Sequence, residues 1–355
     1  MGVDLRHGGN RQAAASRLNC RPSQLLDASA SLAPWSPRCS RIPLAVIRDY
    51  PDRDQTSLRQ SMACLHGLNP EAVLPGNGAA ELFTWAARDA AAEGVSGLLA
   101  PGFADYRRAL QCWNAAWIDV PLVLSWDNAG PLPHPPFQAP VAWVCNPHNP
   151  TGQLWSRASL EPLLAMHQLV ICDEAFLPLV PEGEQQSMIP LVQHHPNLVV
   201  IRSLTKLFGV AGLRVGYAIA HPDRLKRWSG WRDPWPVNGI AAAMTERLLR
   251  PSQRYHRWCR RVQQWTFTEG AWMQRQLAVV PGLCPMPSSA NFLLVSGVGS
   301  LLPLLEALEQ SHRILLRDCR SFEGLGESWL RIGLQTRANN RRIIRALQRV
   351  QSNRF

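Results

Sequence analysis

Three apolar runs of strand length constrain this chain more than any other feature: residues 141–145 (Val-Ala-Trp-Val-Cys), 169–172 (Leu-Val-Ile-Cys) and 198–201 (Leu-Val-Val-Ile). A strand that is apolar at every position has no wetted face, so it belongs in a sheet covered on both sides. Segments of helical spacing lie between the runs, as at 159–167. Strand–helix–strand alternation predicts an α/β fold with a mostly parallel, doubly wound sheet. Each run ends on polar residues: Asn146, then Asp173 and Glu174, then Arg202 and Ser203. Ligands in such sheets bind beyond the carboxyl ends of the strands, where these residues fall.

The proline-rich segment 121–140 reads as a surface connection into the run at 141. After about residue 240 the pattern turns helical, with strand candidates at 291–295, 314–317 and 329–332 and a closing helix from about Arg337. The expected organisation is an N-terminal segment (1–45), a large domain (46–240) and a smaller α+β domain (241–355). At 355 residues, 46% of them hydrophobic, the chain can bury a large core. No run approaches the roughly 18 apolar residues of a membrane span, and the N-terminus lacks a secretory apolar stretch. The expectation is a cytoplasmic protein with no membrane partner.

Nine single cysteines form no Cys-x-x-Cys pair, so buried free thiols are expected and a zinc site is not. The net charge is +11, but the arginines are spread along the chain. A field attracting anionic substrates suits that distribution better than nucleic-acid binding. Only two lysines occur, Lys206 and Lys226. Arginine replaces lysine on a surface, but its guanidinium does not give up its proton to form an imine. A lysine kept in so lysine-poor a chain suggests chemistry.

Four pieces follow in order. Gly76-Asn-Gly-Ala-Ala-Glu81 opens an apolar helix, either as an ordinary turn or as a place where backbone N–H groups approach a phosphate. Asn146-Pro-His-Asn-Pro-Thr-Gly152 is a rigid turn after a strand, and the Asn149 amide could bond a phenolic oxygen. Asp173, at a strand end, either caps a helix or keeps a pyridine nitrogen protonated. In Arg202-Ser-Leu-Thr-Lys-Leu-Phe-Gly209, Ser203 and Thr205 flank Lys206, and Arg214 follows; these are phosphate-ligand types around one amine.

This order resembles the fold-type I enzymes dependent on pyridoxal 5'-phosphate (PLP), the aspartate aminotransferase superfamily, from about residue 4 to 350. The resemblance implies PLP bound through Lys206, with Asp173 on the pyridine nitrogen and Asn149 on the ring hydroxyl. It assigns the phosphate to Gly78, Ala79, Ala80, Ser203, Thr205 and Arg214, and ring stacking to Phe103. It implies a homodimer in which Tyr50 reaches the neighbouring subunit's cofactor phosphate. Arg331 matches the arginine that grips the substrate carboxylate bidentately.

Two branches of that superfamily are similar: histidinol-phosphate aminotransferases and threonine-phosphate decarboxylases. The decarboxylases resemble this chain in five places. His7-Gly8-Gly9 resembles their substrate-contacting opening. Residues 26–31 resemble their Leu-Asp-Phe-Ser-x-Asn, with Ser31 in place of Asn. Phe176 stands where the aminotransferases carry Tyr. The run at 313–319 resembles a segment whose arginine, here Arg317, contacts substrate, and residues 233–238 also match, with Trp235 read as packing. The implied substrate is a small phosphorylated amino acid, L-threonine O-3-phosphate, decarboxylated to (R)-1-aminopropan-2-yl phosphate for cobalamin biosynthesis. An aminotransferase is the alternative, because both reactions use one cofactor grip and differ in which bond stands perpendicular to the ring. A regulator built on the same fold would carry an added DNA-binding domain, for which a match beginning near residue 4 leaves no room.

Overall fold

The computed structural model describes residues 8–38, 45–124, 137–250 and 253–352. Its strands are β1 (Leu26–Asp27), β2 (Val73–Gly76), β3 (Ser96–Ala100), β4 (Trp117–Pro121), β5 (Val141–Cys145), β6 (Leu169–Asp173), β7 (Leu198–Ser203), β8 (Gly216–Ala220), β9 (Leu283–Pro285), β10 (Phe292–Gly297), β11 (Ile314–Leu315), β12 (Arg317–Asp318) and β13 (Trp329–Gly333). Seven form one sheet in the order β2-β8-β7-β6-β5-β3-β4, in which β8 alone runs antiparallel to its neighbours. The expected α/β sheet is therefore present, and the three apolar runs are its adjacent central strands.

Every residue of β5, β6 and β7 is buried. Alternate side chains serve opposite layers, as the two-residue period of a strand requires. In β6, Val170 and Cys172 join one apolar cluster, while Leu169 and Ile171 join the other. The helix Ala79–Glu93 covers the second face through Leu82, Phe83, Ala86 and Ala90.

A buried charge network lies at the ends of β6 and β7. Arg202 pairs with Glu174 at 2.7 Å and with Glu184 at 2.8 Å. Glu174 also accepts from the Met188 N–H and the Ser187 hydroxyl, each at 2.7 Å. Its lone pairs are thus satisfied, as a carboxylate out of water requires. The pair fixes the strand ends on which the neighbouring Asp173 is carried.

A second sheet, β12-β13-β10-β9, is wholly antiparallel, and β1 pairs in parallel with β11. From β1 the chain passes back across the large sheet. The Gly333 N–H donates to Ala28 O at 2.8 Å, the Ala33 N–H to Lys206 O at 3.0 Å, and Ser36 Oγ to Gly209 O at 2.9 Å. Residues 26–36 therefore strap both sheets together.

Two expectations need correction. The segment 159–167 is not one helix but two turns, Arg157–Leu160 and Leu163–Met166. Pro162 lies between them, where it has no N–H to continue the ladder. Burial of the thiols holds for Cys145, Cys172 and Cys319, whereas Cys64, Cys112 and Cys284 are exposed. Those three sit on an outer helix face, at a helix end and in the edge strand β9. No helix among the described residues is long and apolar enough to cross a membrane.

Candidate active site

The parallel register carries three polar positions to one edge of the sheet. Cys145 lies opposite Asp173, and Asp173 opposite Ile201. Asn146, Glu174 and Arg202 follow immediately. The turn after β5 is held by its own side chains. Asn146 donates from Nδ2 to Trp155 O and accepts the Trp155 N–H on Oδ1, both at 2.9 Å. The His148 N–H donates to Gln153 O at 2.8 Å, and the Gly152 N–H to His148 O at 2.7 Å. This closed turn fixes Asn149, which is 4% exposed.

Asp173 is buried and takes one bond on each oxygen: the Ala175 N–H on Oδ1 at 2.9 Å, and the Tyr106 hydroxyl on Oδ2 at 2.6 Å. Burial pushes its pKa up to about 6, against the bonds from Tyr106 and Ala175 and the charge of Lys206. The local bond to the Ala175 N–H is present, and the carboxylate keeps lone pairs after both bonds. Nothing in the segment Phe103-Ala-Asp-Tyr106 marks its tyrosine as part of a site. Only the fold brings Tyr106 to Asp173, 67 positions along the chain.

Lys206 lies in the short helix Leu204–Phe208, which Gly209 ends in the left-handed conformation at φ +62°. Gly209 is required there for space as well: a Cβ would lie 2.6 Å from Trp35 O. Burial brings the Lys206 pKa down to about 8, with Arg331 and Arg214 adding to the fall and Asp173 opposing it. One amine thus feels three of the groups singled out in the sequence. The Phe176 ring centroid is 5.4 Å from Nζ.

Arg331, in β13, donates from Nη1 to Asn149 Oδ1 and from Nη2 to Ser29 O at 3.2 Å. Its Nε is buried with no hydrogen-bond partner among the described residues. Burial, then Arg317, brings its pKa down to about 9. Phe292 lies 4.7 Å and Phe322 5.8 Å from the guanidinium carbon. Arg317, equally buried, lies 5.1 Å over the same Phe322 ring and donates to Ser321 Oγ at 2.6 Å.

Gly78 is the N-cap of the helix Ala79–Glu93 and offers no side-chain cap to its N–H groups. Arg214 closes over this end, and a Cβ on Gly78, where φ is +76°, would lie 2.5 Å from Arg214 Nη2. Ser203 and Thr205 are buried on the adjoining element. Ala80 O accepts from Arg108 at 3.0 Å. Phe103 caps the helix Ala104–Gln111 and meets Tyr106 edge-on at 5.6 Å. Tyr50 stands apart, 80% exposed and stacked on Trp235 at 4.5 Å. Ser31 is buried, with a hydroxyl that has no hydrogen-bond partner among the described residues. Gly8 packs on Ser29 so closely that a Cβ would collide with the carbonyl oxygen. His7 lies outside the described residues.

A cavity of about 570 Å³ opens beside Arg317 and includes Gly8, Ser29 and Arg320 in its lining. Another, about 590 Å³, lies between Arg53 and Lys226, among residues that belong to none of the groups above. Convergent buried ionisable groups locate chemistry better than cavity size does.

Residues 46–347 match the family model for aminotransferase class I and II. The threonine-phosphate decarboxylase of Salmonella typhimurium is 32% identical, over 97% of this chain and 96% of that protein. A histidinol-phosphate aminotransferase from Symbiobacterium thermophilum is 30% identical, over 89% and 86%. Among solved structures, an L-threonine-O-3-phosphate decarboxylase from Porphyromonas gingivalis is similar with a TM-score of 0.75 and 26% identity, covering 87% of this chain and 92% of that one. The histidinol-phosphate aminotransferase of Clostridium acetobutylicum gives 0.79 at 21% identity, covering 93% and 100%, a likeness of fold. With its sheet, its buried lysine and a family match over most of its length, this chain belongs to the aminotransferase class I and II family.

Proposed function

We propose that this chain is a PLP-dependent threonine-phosphate decarboxylase, converting L-threonine O-3-phosphate to (R)-1-aminopropan-2-yl phosphate and carbon dioxide in cobalamin biosynthesis. The observation that carries the reaction type is the likeness to the Salmonella decarboxylase over nearly the whole of both chains. The site suits the cofactor. An uncapped helix end and Arg214 form a cradle for a phosphate, and Lys206 and Asp173 are buried within each other's field. Gly78, Ala79, Ala80, Ser203, Thr205 and Arg214 would hold that phosphate, Asn149 the ring hydroxyl, and Phe103 one face of the ring.

When bound, PLP supplies an electron sink for the pair released as a bond to the substrate Cα breaks. Lys206 would hold the cofactor through its amine, and burial keeps a useful share of that amine neutral near pH 8. Asp173 would hold a proton on the ring nitrogen. Arg331, with an unpartnered Nε, grips a carboxylate, and Arg317 answers the substrate's second anionic group. Together these cations would orient the substrate by its two anionic groups. In the reaction the bond from Cα to the carboxylate carbon breaks, carbon dioxide leaves, and a proton takes its place on Cα. His7, Gly8 and Ser31 belong to the substrate side of this reading.

The reading also includes a cytoplasmic homodimer with shared active sites. Eight described cysteines are free, which suits a reducing compartment. Ile47, Tyr50, Trp235 and Ile240 are exposed large apolar residues lining one continuous groove, the kind of patch that a second subunit covers. The large and small domains are taken to divide near residue 240, since the seven-stranded sheet ends at Ala220 and the antiparallel sheet begins at Leu283.

The test is purified, PLP-loaded protein given L-threonine O-3-phosphate. Carbon dioxide release without a keto-acid acceptor is expected. Conversion of the cofactor to its amine form, with a keto acid and no carbon dioxide, would overturn the reading in favour of an aminotransferase, for which histidinol phosphate is the substrate to try. Cofactor loading should follow the neutral amine. Its rate is expected to rise with pH through a midpoint near 8, not near the 10.5 of an ordinary lysine. Stopped-flow absorbance of cofactor-free protein mixed with PLP measures it.

A further inference from the structure

We infer that Tyr106 is a positioning residue for Asp173, holding that carboxylate ionised and in one rotation toward the bound cofactor. The inference rests on the PLP reading above and not on the choice of substrate. Tyr106 projects from the helix Ala104–Gln111 into the core and is 5% exposed. Its ring is enclosed by Phe83 at 5.1 Å and Phe103 at 5.6 Å, both edge-on, and by Trp143 at 5.2 Å. The hydroxyl donates to Asp173 Oδ2 at 2.6 Å, with the Cys145 thiol beside it. The length suits an O–H donor on an ionised acceptor, among the stronger protein hydrogen bonds.

The other carboxylate oxygen is fixed from the opposite side by the Ala175 N–H at 2.9 Å. A carboxylate bonded once on each oxygen cannot rotate without losing both bonds. The groups around it are Tyr106, the Cys145 thiol on β5, Glu174 next to it in the chain and Lys206 across the site. Burial and Glu174 favour the neutral acid, while Tyr106, Ala175 and Lys206 favour the anion. Tyr106 stays a donor, since burial and Asp173 push its own pKa well above the ordinary value. An aromatic ring alone would fill this space equally well. The hydroxyl is what a packing role does not need.

Tyr106→Phe removes only that hydroxyl. Cofactor affinity, measured by titrating cofactor-free protein with PLP, is expected to fall roughly tenfold to a hundredfold, the range for a hydrogen bond to a charged group. The visible absorption of the bound cofactor should change as well. In an Asp173→Asn background the same substitution should change affinity less than about twofold, because the anion it serves is gone. Unchanged affinity and spectrum in Tyr106→Phe would overturn the inference, as would an equal loss in both backgrounds. No substrate enters these measurements, so a failed decarboxylase assay leaves their outcome intact. Wild-type protein that takes up no PLP would overturn the cofactor reading and this inference with it. Melting temperatures of the cofactor-free variants report the fold separately.

Discussion

Lys206→Gln is expected to lower turnover by roughly 10³-fold or more, the scale of losing a positioned proton-transfer and nucleophilic group. Glutamine keeps the length and the packing but has no amine to bond the cofactor. The nearby cations do not substitute, because Arg331 and Arg214 carry guanidinium groups. The chain's second lysine, Lys226, lies on the separate helix Pro222–Trp231 and lines a different cavity. Single-turnover carbon dioxide release measures the loss, and borohydride reduction should no longer trap cofactor on the protein. A variant that completes turnover would remove Lys206 from its assigned role. Stability should move the other way. Burial disfavours the ammonium, so below pH 8 the wild-type fold carries the full cost of a charged Lys206. Between about 8 and 10.5 the unfolded chain binds more protons than the folded one, and wild-type stability recovers as pH rises. Cofactor-free Lys206→Gln should therefore melt above wild type at pH 7, with the gap closing toward pH 10.5.

Arg331→Gln is expected to lower kcat/KM roughly 10²- to 10³-fold, because truncating one member of a buried charge pair costs about 2–5 kcal/mol. The two bonds now made to Asn149 and Ser29 fix the guanidinium plane, and Nε, unpartnered among the described residues, is one of the donors left for a carboxylate. Substrate binding should weaken more than cofactor binding, which separates this variant from one at Asp173. Steady-state kinetics together with a PLP titration measures both. Retained kcat/KM would place the carboxylate elsewhere, with Arg317 the next group to test.

The sheet was legible because continuous apolar runs admit few alternatives. β5, β6 and β7 start where the sequence predicts them, and their polar ends converge. The scarcity of lysine singles out Lys206, and the fold buries that amine within the field of Asp173. Other features depend on the fold. Tyr106 reads as one more aromatic residue until its helix packs against the sheet. The pairing of Arg202 with Glu174 and Glu184 has no motif of its own, yet it forms the buried network beneath the site. The antiparallel direction of β8 is equally silent, since an apolar strand reads alike in either sense. Pro162 is visible in the sequence, but the helical spacing on both sides of it hides the break that its missing N–H makes.

The strap of residues 26–36 has a consequence for how the protein is made. Strand pairing joins Leu26 to Ile314, and Gly333 reaches back to Ala28. A nascent chain emits the strap first and its partners near the end. At 5–20 residues per second the interval is roughly 15 s to 1 min. The large sheet can close during that time. The strap, which bonds the lysine helix through Ala33, lacks its second anchor until β11 and β13 leave the ribosome. A chain truncated before residue 314 would thus lack both Arg331 and the tether that seats the strap beside Lys206.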